Sequence, residues 1–205
     1  VEAVQAAENK PKVVIQASAV GYYGDRGDEL LTEESSAGDN FLAHVCIEWE
    51  KAIQPIADMV RLVIVRTGVV LTTTDGALQR MMLPFKLFAG GPLGSGKQWF
   101  PWIHLDDEVR AILFLLNDEN AAGTYNLASP HIMTNGNFVK VLGDVMNRPA
   151  FVPAPAFALK IALGEMADLV LDSQRMMSTK LQSAGFDFAY PNAKEALDDL
   201  VKNNK

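Results

Sequence analysis

The stretch VVIQASAVGYYGD, residues 13–25, decides the fold of this 205-residue chain. It opens with a short β-branched apolar run and ends in small residues and glycines, a pattern typical of a buried strand in a parallel sheet. In open α/β sheets, ligands bind outside the carboxyl ends of such strands. The pattern therefore predicts that residues 18–25 lie where a cofactor and a substrate could meet.

A second apolar run, LVIV at residues 62–65, predicts another strand over residues 61–71. Between the two runs, residues 41–56 are predicted to be helical, with helical spacing of the apolar residues Phe41, Val45, Trp49, Ala52 and Ile53. Two buried strands separated by a helix form a βαβ unit, in which the strands lie parallel. We also expect a strand at residues 124–127 and helices at residues 77–89, 105–117, 137–146, 156–163, 164–171 and 192–203.

Composition limits the classes of partner and compartment. The net charge is −7 and the sequence pI is about 4.9, which argues against nucleic acid or an anionic membrane as a partner. The single cysteine, Cys46, excludes an internal disulfide and suits a reducing compartment, so we expect a cytoplasmic protein. No apolar run is long enough to predict a membrane span.

Polar residues at the strand ends are the first candidates for a site. Ser18 is either a small residue tolerated at a strand end or a hydroxyl that hydrogen-bonds a substrate. Tyr22 and Tyr23 form either a packed turn or the lining of a pocket. Arg66 ends the second strand, and an arginine there favours contact with a phosphate or a carboxylate.

Other titratable residues favour structural roles. Cys46 and Glu50 are four residues apart on the predicted helix and share a face, but two ligands do not make a metal site. His104, Asp106 and Asp107 precede or open a helix, where acidic groups stabilise the helix dipole. The sequence therefore predicts no metal site.

Several of these motifs, in this order, resemble the short-chain dehydrogenase/reductase superfamily in its extended, sugar-nucleotide-epimerase-like branch. Within that branch they are similar to an atypical subgroup of nucleoside-diphosphate-sugar epimerases, often labelled cell-division-inhibitor-like. The motifs are SAVGYYGD at residues 18–25, CIEWE at 46–50, RTGVVL at 66–71, GGPLGSG at 90–96, WIHLDD at 102–107, GTYNL at 123–127 and GFDF at 185–188.

The resemblance implies an α/β fold class. We expect the carboxyl-terminal half of a Rossmann-type parallel sheet with flanking helices, plus a small helical carboxyl-terminal lobe. Residues 1–147 would form a partial NAD(P)-binding Rossmann-like domain, and residues 148–205 the subgroup's small domain. The glycine-rich loop that holds the pyrophosphate in this family has no counterpart in the sequence, so we expect the first half of the sheet to be absent from this chain.

The resemblance also implies residue roles, with NADP or NAD as cofactor. Ser18 and Tyr23 are the expected catalytic residues, although alignment on Tyr23 and Gly24 places Ala19 at the usual serine position. The expected cofactor contacts are Ala17, Ser18, Ala19, Arg66, Thr67 and Gly68. The expected substrate-side residues are Tyr22, Gly94, Trp102 and His104.

Ordinary family members carry a tyrosine and, four residues later, a lysine on the helix after the first of these strands. Here those positions hold Cys46 and Glu50, and a glutamate cannot supply the positive field that lysine gives. Three hypotheses remain open: an NAD(P)-dependent nucleoside-diphosphate-sugar epimerase or reductase, a catalytically silent NADP(H)-binding regulatory or sensor module, and a folded remnant without a ligand site. The expected partners are a small-molecule substrate, such as a nucleotide sugar, and a second copy of the chain bound through the helix at residues 41–56.

Overall fold

A computed structural model describes residues 1–203 and shows a mixed α/β architecture. The helices flank a parallel sheet. The strands, in chain order, are β1 (Val13–Ala19), β2 (Leu30–Leu31), β3 (Arg61–Thr67), β4 (Val69–Leu71), β5 (Trp99–Phe100), β6 (Trp102–His104), β7 (Gly123–Leu127), β8 (Met133–Thr134) and β9 (Arg175–Met176).

The sheet that organises the molecule has the order β1-β3-β7, and its strands are all parallel. Strand β3 lies at its centre and is buried from Leu62 to Arg66, because helices cover both of its faces. Within residues 1–203, β1 pairs only with β3, so its other edge is open. Val13, Val14, Ile15 and Gln16 are accordingly only half-buried.

The second predicted strand is broken at Gly68, contrary to the expectation of one strand over residues 61–71. Strand β3 ends at Thr67, and β4 then leaves the main sheet to pair with β6. A Cβ on Gly68 would lie 2.7 Å from the carbonyl oxygen of Pro101, so only glycine allows this close backbone approach. Apolar residues resume at Val69 after Arg66, Thr67 and Gly68, which is why the pattern predicts a single strand.

The helices are α1 (Glu2–Ala6), α2 (Phe41–Ile53), α3 (Gly76–Lys86), α4 (Leu105–Asn117), α5 (Asn135–Met146), α6 (Ala156–Leu163), α7 (Asp168–Leu171), α8 (Thr179–Ser183) and α9 (Ala193–Asp198). Short 3₁₀ turns follow β1 at Val20–Tyr23 and α2 at Gln54–Ile56, and precede α7 at Gly164–Ala167. None of the helices in residues 1–203 is long and apolar enough to cross a bilayer.

Helix α2 presents a different face to the sheet from the one its apolar spacing predicts. Ala43, Cys46 and Glu50 are the buried residues, whereas Phe41 and Trp49 are about half exposed, at 51% and 52%. The burial of Cys46 confirms its interpretation as a core residue. The burial of Glu50, next to an exposed tryptophan, requires a charged partner inside the molecule.

The carboxyl-terminal segment is joined to the rest through a shared core. Leu71, Trp102 and Phe138 pack in one cluster with Ala193 and Leu197 of α9. The division of the chain at residue 147 stays a prediction.

Asp107, in the first turn of α4, binds the backbone of the carboxyl-terminal segment. Its carboxylate is fully buried and accepts hydrogen bonds from the backbone N–H groups of Ala189 and Tyr190, both at 2.8 Å. Arg110 donates a further bond of 2.7 Å to the same carboxylate. Three donors thus satisfy the hydrogen-bonding capacity that burial removes from water.

We expect Asp107→Asn to lower the free energy of unfolding by roughly 2 kcal/mol, because the amide nitrogen would face a backbone donor and leave it unsatisfied. Urea unfolding measures the effect. The matched control is Asp106→Asn, which makes the same change in the same helical turn at an exposed position. Equal losses in the two variants would contradict this role for Asp107.

Candidate functional site

One row of side chains crosses the carboxyl ends of the three parallel strands. Ser18, Arg66 and Asn126 are register partners on β1, β3 and β7, so their side chains share a face of the sheet. They are 6%, 4% and 0% exposed. Three adjacent polar residues buried on one face need internal hydrogen bonds, and α2 and the turn after β1 supply them.

The centre of this row is a buried ion pair between Arg66 and Glu50 of α2. The Arg66 Nε and Nη2 atoms donate to Glu50 Oε1 and Oε2, each at 2.9 Å. Ser18 donates a third bond of 2.7 Å to Glu50 Oε1. Burial acts to lower the pKa of Arg66, but its hydrogen bonds to Glu50 and Tyr23 outweigh burial and raise that pKa.

The two tyrosines complete the network from the turn after β1. Tyr23 is fully buried, accepts a hydrogen bond of 3.1 Å from Arg66 and donates one of 2.7 Å to Asn126 Oδ1. Burial raises the pKa of Tyr23, against the opposing charge of Arg66. The ring of half-buried Tyr22 stacks on the Arg66 guanidinium, 3.3 Å from the ring centroid.

The structure therefore gives Arg66 a carboxylate partner within the chain. Its predicted phosphate or carboxylate contact is made by Glu50, 16 residues earlier. Ser18 and Tyr23, the predicted catalytic residues, are brought into the same network, where each hydroxyl donates to a protein acceptor. Their catalytic role stays a prediction. Asn126, which links Tyr23 to the backbone of Met177 at 2.9 Å, had no signal in the sequence beyond its position near a strand end.

The remaining predicted cofactor residues occupy the opposite face of the sheet. Ala17, Ala19 and Thr67 alternate with Ser18 and Arg66 along their strands, so they point toward the α4 side. Thr67 donates a hydrogen bond of 2.8 Å to Glu108 of α4. The structure thus divides the predicted cofactor set between two faces.

Glu108 is a functional candidate that sequence reasoning missed. It is 8% exposed, and its Oε2 atom is buried without a hydrogen-bond partner in residues 1–203. Burial raises its pKa to about 7, against the bond from Thr67, which lowers it. In the sequence, Glu108 shares the first turn of a predicted helix with Asp106 and Asp107, where acidic residues usually stabilise the helix dipole.

Cys46 and Glu50, which the resemblance places at the positions of the family's tyrosine and lysine, are both buried. The Cys46 thiol is 3% exposed and lies 3.8 Å from the carbonyl oxygen of Ala19, and burial raises its pKa. Glu50 is fully engaged by Arg66 and Ser18. This pair therefore offers neither an acidic phenol nor a free ammonium group to a ligand.

Two of the predicted substrate-side residues lie in the interior. Trp102 is 1% exposed and packs near Phe138, with ring centroids 6.2 Å apart. His104 is 2% exposed, caps α4 by accepting from Asp106 N at 3.1 Å, and stacks on Tyr190 at 3.9 Å. Burial lowers the pKa of His104, although nearby carboxylates oppose it. His104 therefore caps α4 with its own side chain, beside the dipole-stabilising role predicted for Asp106 and Asp107.

Gly94, also predicted on the substrate side, makes a close backbone approach. It has a φ of 56°, and its N–H donates 2.8 Å to the carbonyl of Ala154. A Cβ there would lie 2.8 Å from a methyl carbon of Leu171. The loop 90–96 is therefore held against the carboxyl-terminal segment. The substrate-side roles of Tyr22, Gly94, Trp102 and His104 stay predictions.

A groove of about 470 Å³ follows the open edge of β1 and is lined by Gln16, Ala17, Trp49, Ala52, Ile53 and Val1. Of the predicted cofactor residues, Ala17 lies in it. Among the described residues, no group of three or more histidine, cysteine or acidic side chains could hold a metal ion.

We expect Glu50→Leu to lower the free energy of unfolding by about 3 kcal/mol, because it leaves the Arg66 cation buried without its partner. The double variant Glu50→Leu/Arg66→Met removes that charge and should recover part of the loss. Glu48→Leu, at an exposed position two residues away, is the control and should change stability little. Urea unfolding of the parent, the single variants Glu50→Leu and Arg66→Met, the double variant and the control tests the coupling; additive losses of the two single variants in the double variant would contradict it.

The raised pKa of Glu108 predicts a pH-dependent stability. The folded chain holds this proton more tightly than the unfolded chain, whose glutamate pKa is near 4.5, so the stabilisation is complete below that value. It is lost as the pH rises through about 7. Relative to Glu108→Gln, the parent should lose roughly 2 kcal/mol between about pH 5 and about pH 8, measured by urea unfolding. A pH-independent difference would show that Glu108 titrates normally.

Comparison with known proteins places this architecture in a family. Residues 154–200 match a domain of unknown function, DUF1731. The chain is 43% identical over 196 residues to a chloroplastic epimerase family protein SDR39U1 homologue of Arabidopsis thaliana, covering 96% of this chain and 56% of that protein. It is 42% identical over 194 residues to an epimerase family protein of Staphylococcus aureus, covering 94% of this chain and 65% of that protein.

The fold agrees with a solved structure. The crystal structure of human epimerase family protein SDR39U1 with NADPH superposes with a TM-score of 0.94 at 32% identity, covering 98% of this chain and 69% of that one. The chain thus spans roughly 56% to 65% of the length of these curated relatives. From this identity, coverage and shared sheet, we conclude that the chain belongs to the SDR39U1-type epimerase family, an atypical NAD-dependent epimerase and short-chain dehydrogenase/reductase-like family.

Proposed function

We propose that this chain is part of an NADP(H)-dependent epimerase or reductase acting on a small molecule of the nucleoside-diphosphate-sugar class. The observation that carries the proposal is the carboxyl edge of β1, β3 and β7. Ser18 and Thr67 lie there at the ends of neighbouring parallel strands, on opposite faces, and Gly68 follows directly. That edge is where ligands bind in open α/β folds. The relative solved with NADPH shares this sheet closely.

The chain's own residues fit part of a nicotinamide site. Gly68 and the end of β1 present backbone with little side-chain bulk, which permits close approach of a flat ring or a phosphate. The open edge of β1 and the groove beside Ala17 leave room for further elements of the site. When bound, the cofactor would supply hydride exchange with a substrate carbon. Ser18 would orient the substrate, and Tyr22 would line its pocket.

A second candidate, a catalytically silent NADP(H)-binding regulatory or sensor module, is favoured by one specific observation. Glu50 neutralises Arg66 through two bonds of 2.9 Å, so no unpaired positive charge is available at the lysine position to acidify a phenol. Tyr23 is fully buried and its pKa is raised. A module that binds the cofactor without turning it over would need no proton-exchanging pair.

Homodimerisation through α2 belongs to the same proposal. Phe41 and Trp49 lie on that helix and are each about half exposed, which suits a contact with a second copy. Light scattering tests this part independently of ligand binding, and a monomeric mass at micromolar concentration would contradict it.

The proposal predicts saturable binding of NADPH, followed by the emission of the reduced cofactor, in the longest natural polypeptide that contains this chain. A screen of nucleoside-diphosphate sugars with each nicotinamide cofactor then measures turnover. Ser18→Ala should lower turnover at least about tenfold with little change in NADPH affinity, because its hydroxyl acts on the substrate. Ser183→Ala, an identical change at an exposed site, is the control.

The outcomes separate the hypotheses. Binding with turnover supports the enzyme, and binding without turnover of any sugar supports the silent module. Absence of saturable binding of either reduced nicotinamide cofactor would contradict both.

A further inference from the structure

The most exposed apolar side chains of the described chain lie in two short stretches. Among the side chains that the structure describes, every large apolar one that is 60% exposed or more belongs to residues 83–88 or residues 151–161. They are Leu83 at 60%, Leu87 at 72%, Phe88 at 60%, Phe151 at 74%, Phe157 at 70% and Ile161 at 82%. Isolated exposed apolar residues are ordinary, but this concentration indicates a binding surface.

The two stretches are neighbours in the fold. The loop that follows α3 runs alongside the segment that precedes α6, through bridges between Gly90 and Ala150 and between Leu93 and Ala154. The Val152 N–H donates 3.0 Å to the carbonyl of Gly90. The end of α3 and the beginning of α6 therefore flank one paired segment, and their exposed residues belong to the same lobe.

Phe88 is held outward by a backbone conformation that is costly for a large side chain. Its φ is 59°, in the left-handed region that glycine usually occupies at the end of a helix. Glycine there would close α3 without this strain and without exposing a ring to water. The Arg148 guanidinium lies 4.4 Å from the ring centroid, so a cation accompanies the exposed phenyl group. A strained backbone that holds a phenyl ring in water suggests that Phe88 contacts a binding partner.

The same lobe is basic within an acidic chain. Residues 76–105 and 145–164 contain no aspartate or glutamate, although the chain as a whole has 25 acidic residues. These stretches carry Arg80, Lys86, Lys97, Arg148 and Lys160. Within residues 1–203, neither Arg80 nor Lys86 has an ion-pair partner, and both are exposed. The net charge of −7 is therefore carried by the rest of the molecule.

We propose that this surface, here called the basic apolar face, docks on the surface of an anionic phospholipid bilayer. It comprises Leu83, Leu87, Phe88, Phe151, Phe157 and Ile161, flanked by Arg80 and Lys86. Exposed Leu, Ile and Phe side chains bordered by Lys and Arg are the pattern of interfacial binding, in which apolar groups enter the headgroup boundary and cations meet anionic lipid. The contact is superficial and needs no helix that spans the membrane.

Charge favours a lipid bilayer over a second copy of the chain or nucleic acid as the partner of the basic apolar face. A second copy placed on the face by a two-fold axis would bring the same uncompensated cations together, which is unfavourable. Nucleic acid would use the cations but not six exposed aliphatic and phenyl groups. The overall acidic charge argues against anionic membranes for the molecule as a whole, but a surface is attracted by its local charge within about one Debye length.

The test is flotation of the longest natural polypeptide that contains this chain with vesicles. We expect binding to phosphatidylcholine vesicles that contain about 30% phosphatidylglycerol, little binding to pure phosphatidylcholine, and weakening by salt. Charge reversal in Arg80→Glu/Lys86→Glu should lower the partition coefficient at least about tenfold. Lys160 is left unchanged because it also favours the ionised form of Asp172.

Apolar variants complete the design. Phe88→Ser/Phe151→Ser/Phe157→Ser should abolish flotation, and since these side chains are exposed the fold should survive, which circular dichroism checks. The matched control Val109→Ser/Leu113→Ser/Leu116→Ser removes exposed apolar groups of α4 and should float like the parent. The proposal is overturned if the parent does not bind anionic vesicles, or if both triple variants bind equally. It is also overturned if light scattering without lipid shows that the Phe88 variant converts a dimer to a monomer.

Discussion

The buried ion pair between Arg66 and Glu50 is the constraint on which the rest of the sheet edge depends. A guanidinium at the end of the central strand can be removed from water only if its charge and its donors are satisfied. Glu50 meets both needs from α2, Ser18 adds a bond from β1, and Tyr23 links the pair to Asn126 on β7. One charged group thus sets the position of a helix, a turn and three strands.

The same pair alters the chemistry that the fold can offer. In ordinary relatives the helix position held here by Glu50 carries a lysine, whose free positive charge assists proton transfer. Here the positive charge of the network belongs to Arg66 on β3, and Glu50 on α2 neutralises it. On the opposite face, burial raises the pKa of the Glu108 carboxyl to about 7, and one of its oxygens has no hydrogen-bond partner among the described residues.

The sequence predicted the α/β class, the strands at β1, β3 and β7, and both boundaries of α4 and α6, because these depend on local periodicity and capping. It could not predict the pairing of Arg66 with Glu50, since Arg66 looked like a group that faces a ligand and no local pattern links it to a helical residue 16 positions earlier. The sequence also did not reveal which face of α2 packs on the sheet. Phe41 and Trp49 follow a helical stripe, and periodicity does not distinguish a stripe that meets the core from one that meets another surface. The break at Gly68 depends on the distant carbonyl of Pro101, which no local pattern reveals.

The unpaired edge of β1 carries its own consequence. Its seven residues include no proline and no charged side chain, the devices by which proteins usually protect such an edge. The row of free amide and carbonyl groups can accept another extended segment with little regard to that segment's side chains. A strand from elsewhere in the natural polypeptide, or from a second copy, could therefore extend this sheet through main-chain hydrogen bonds alone.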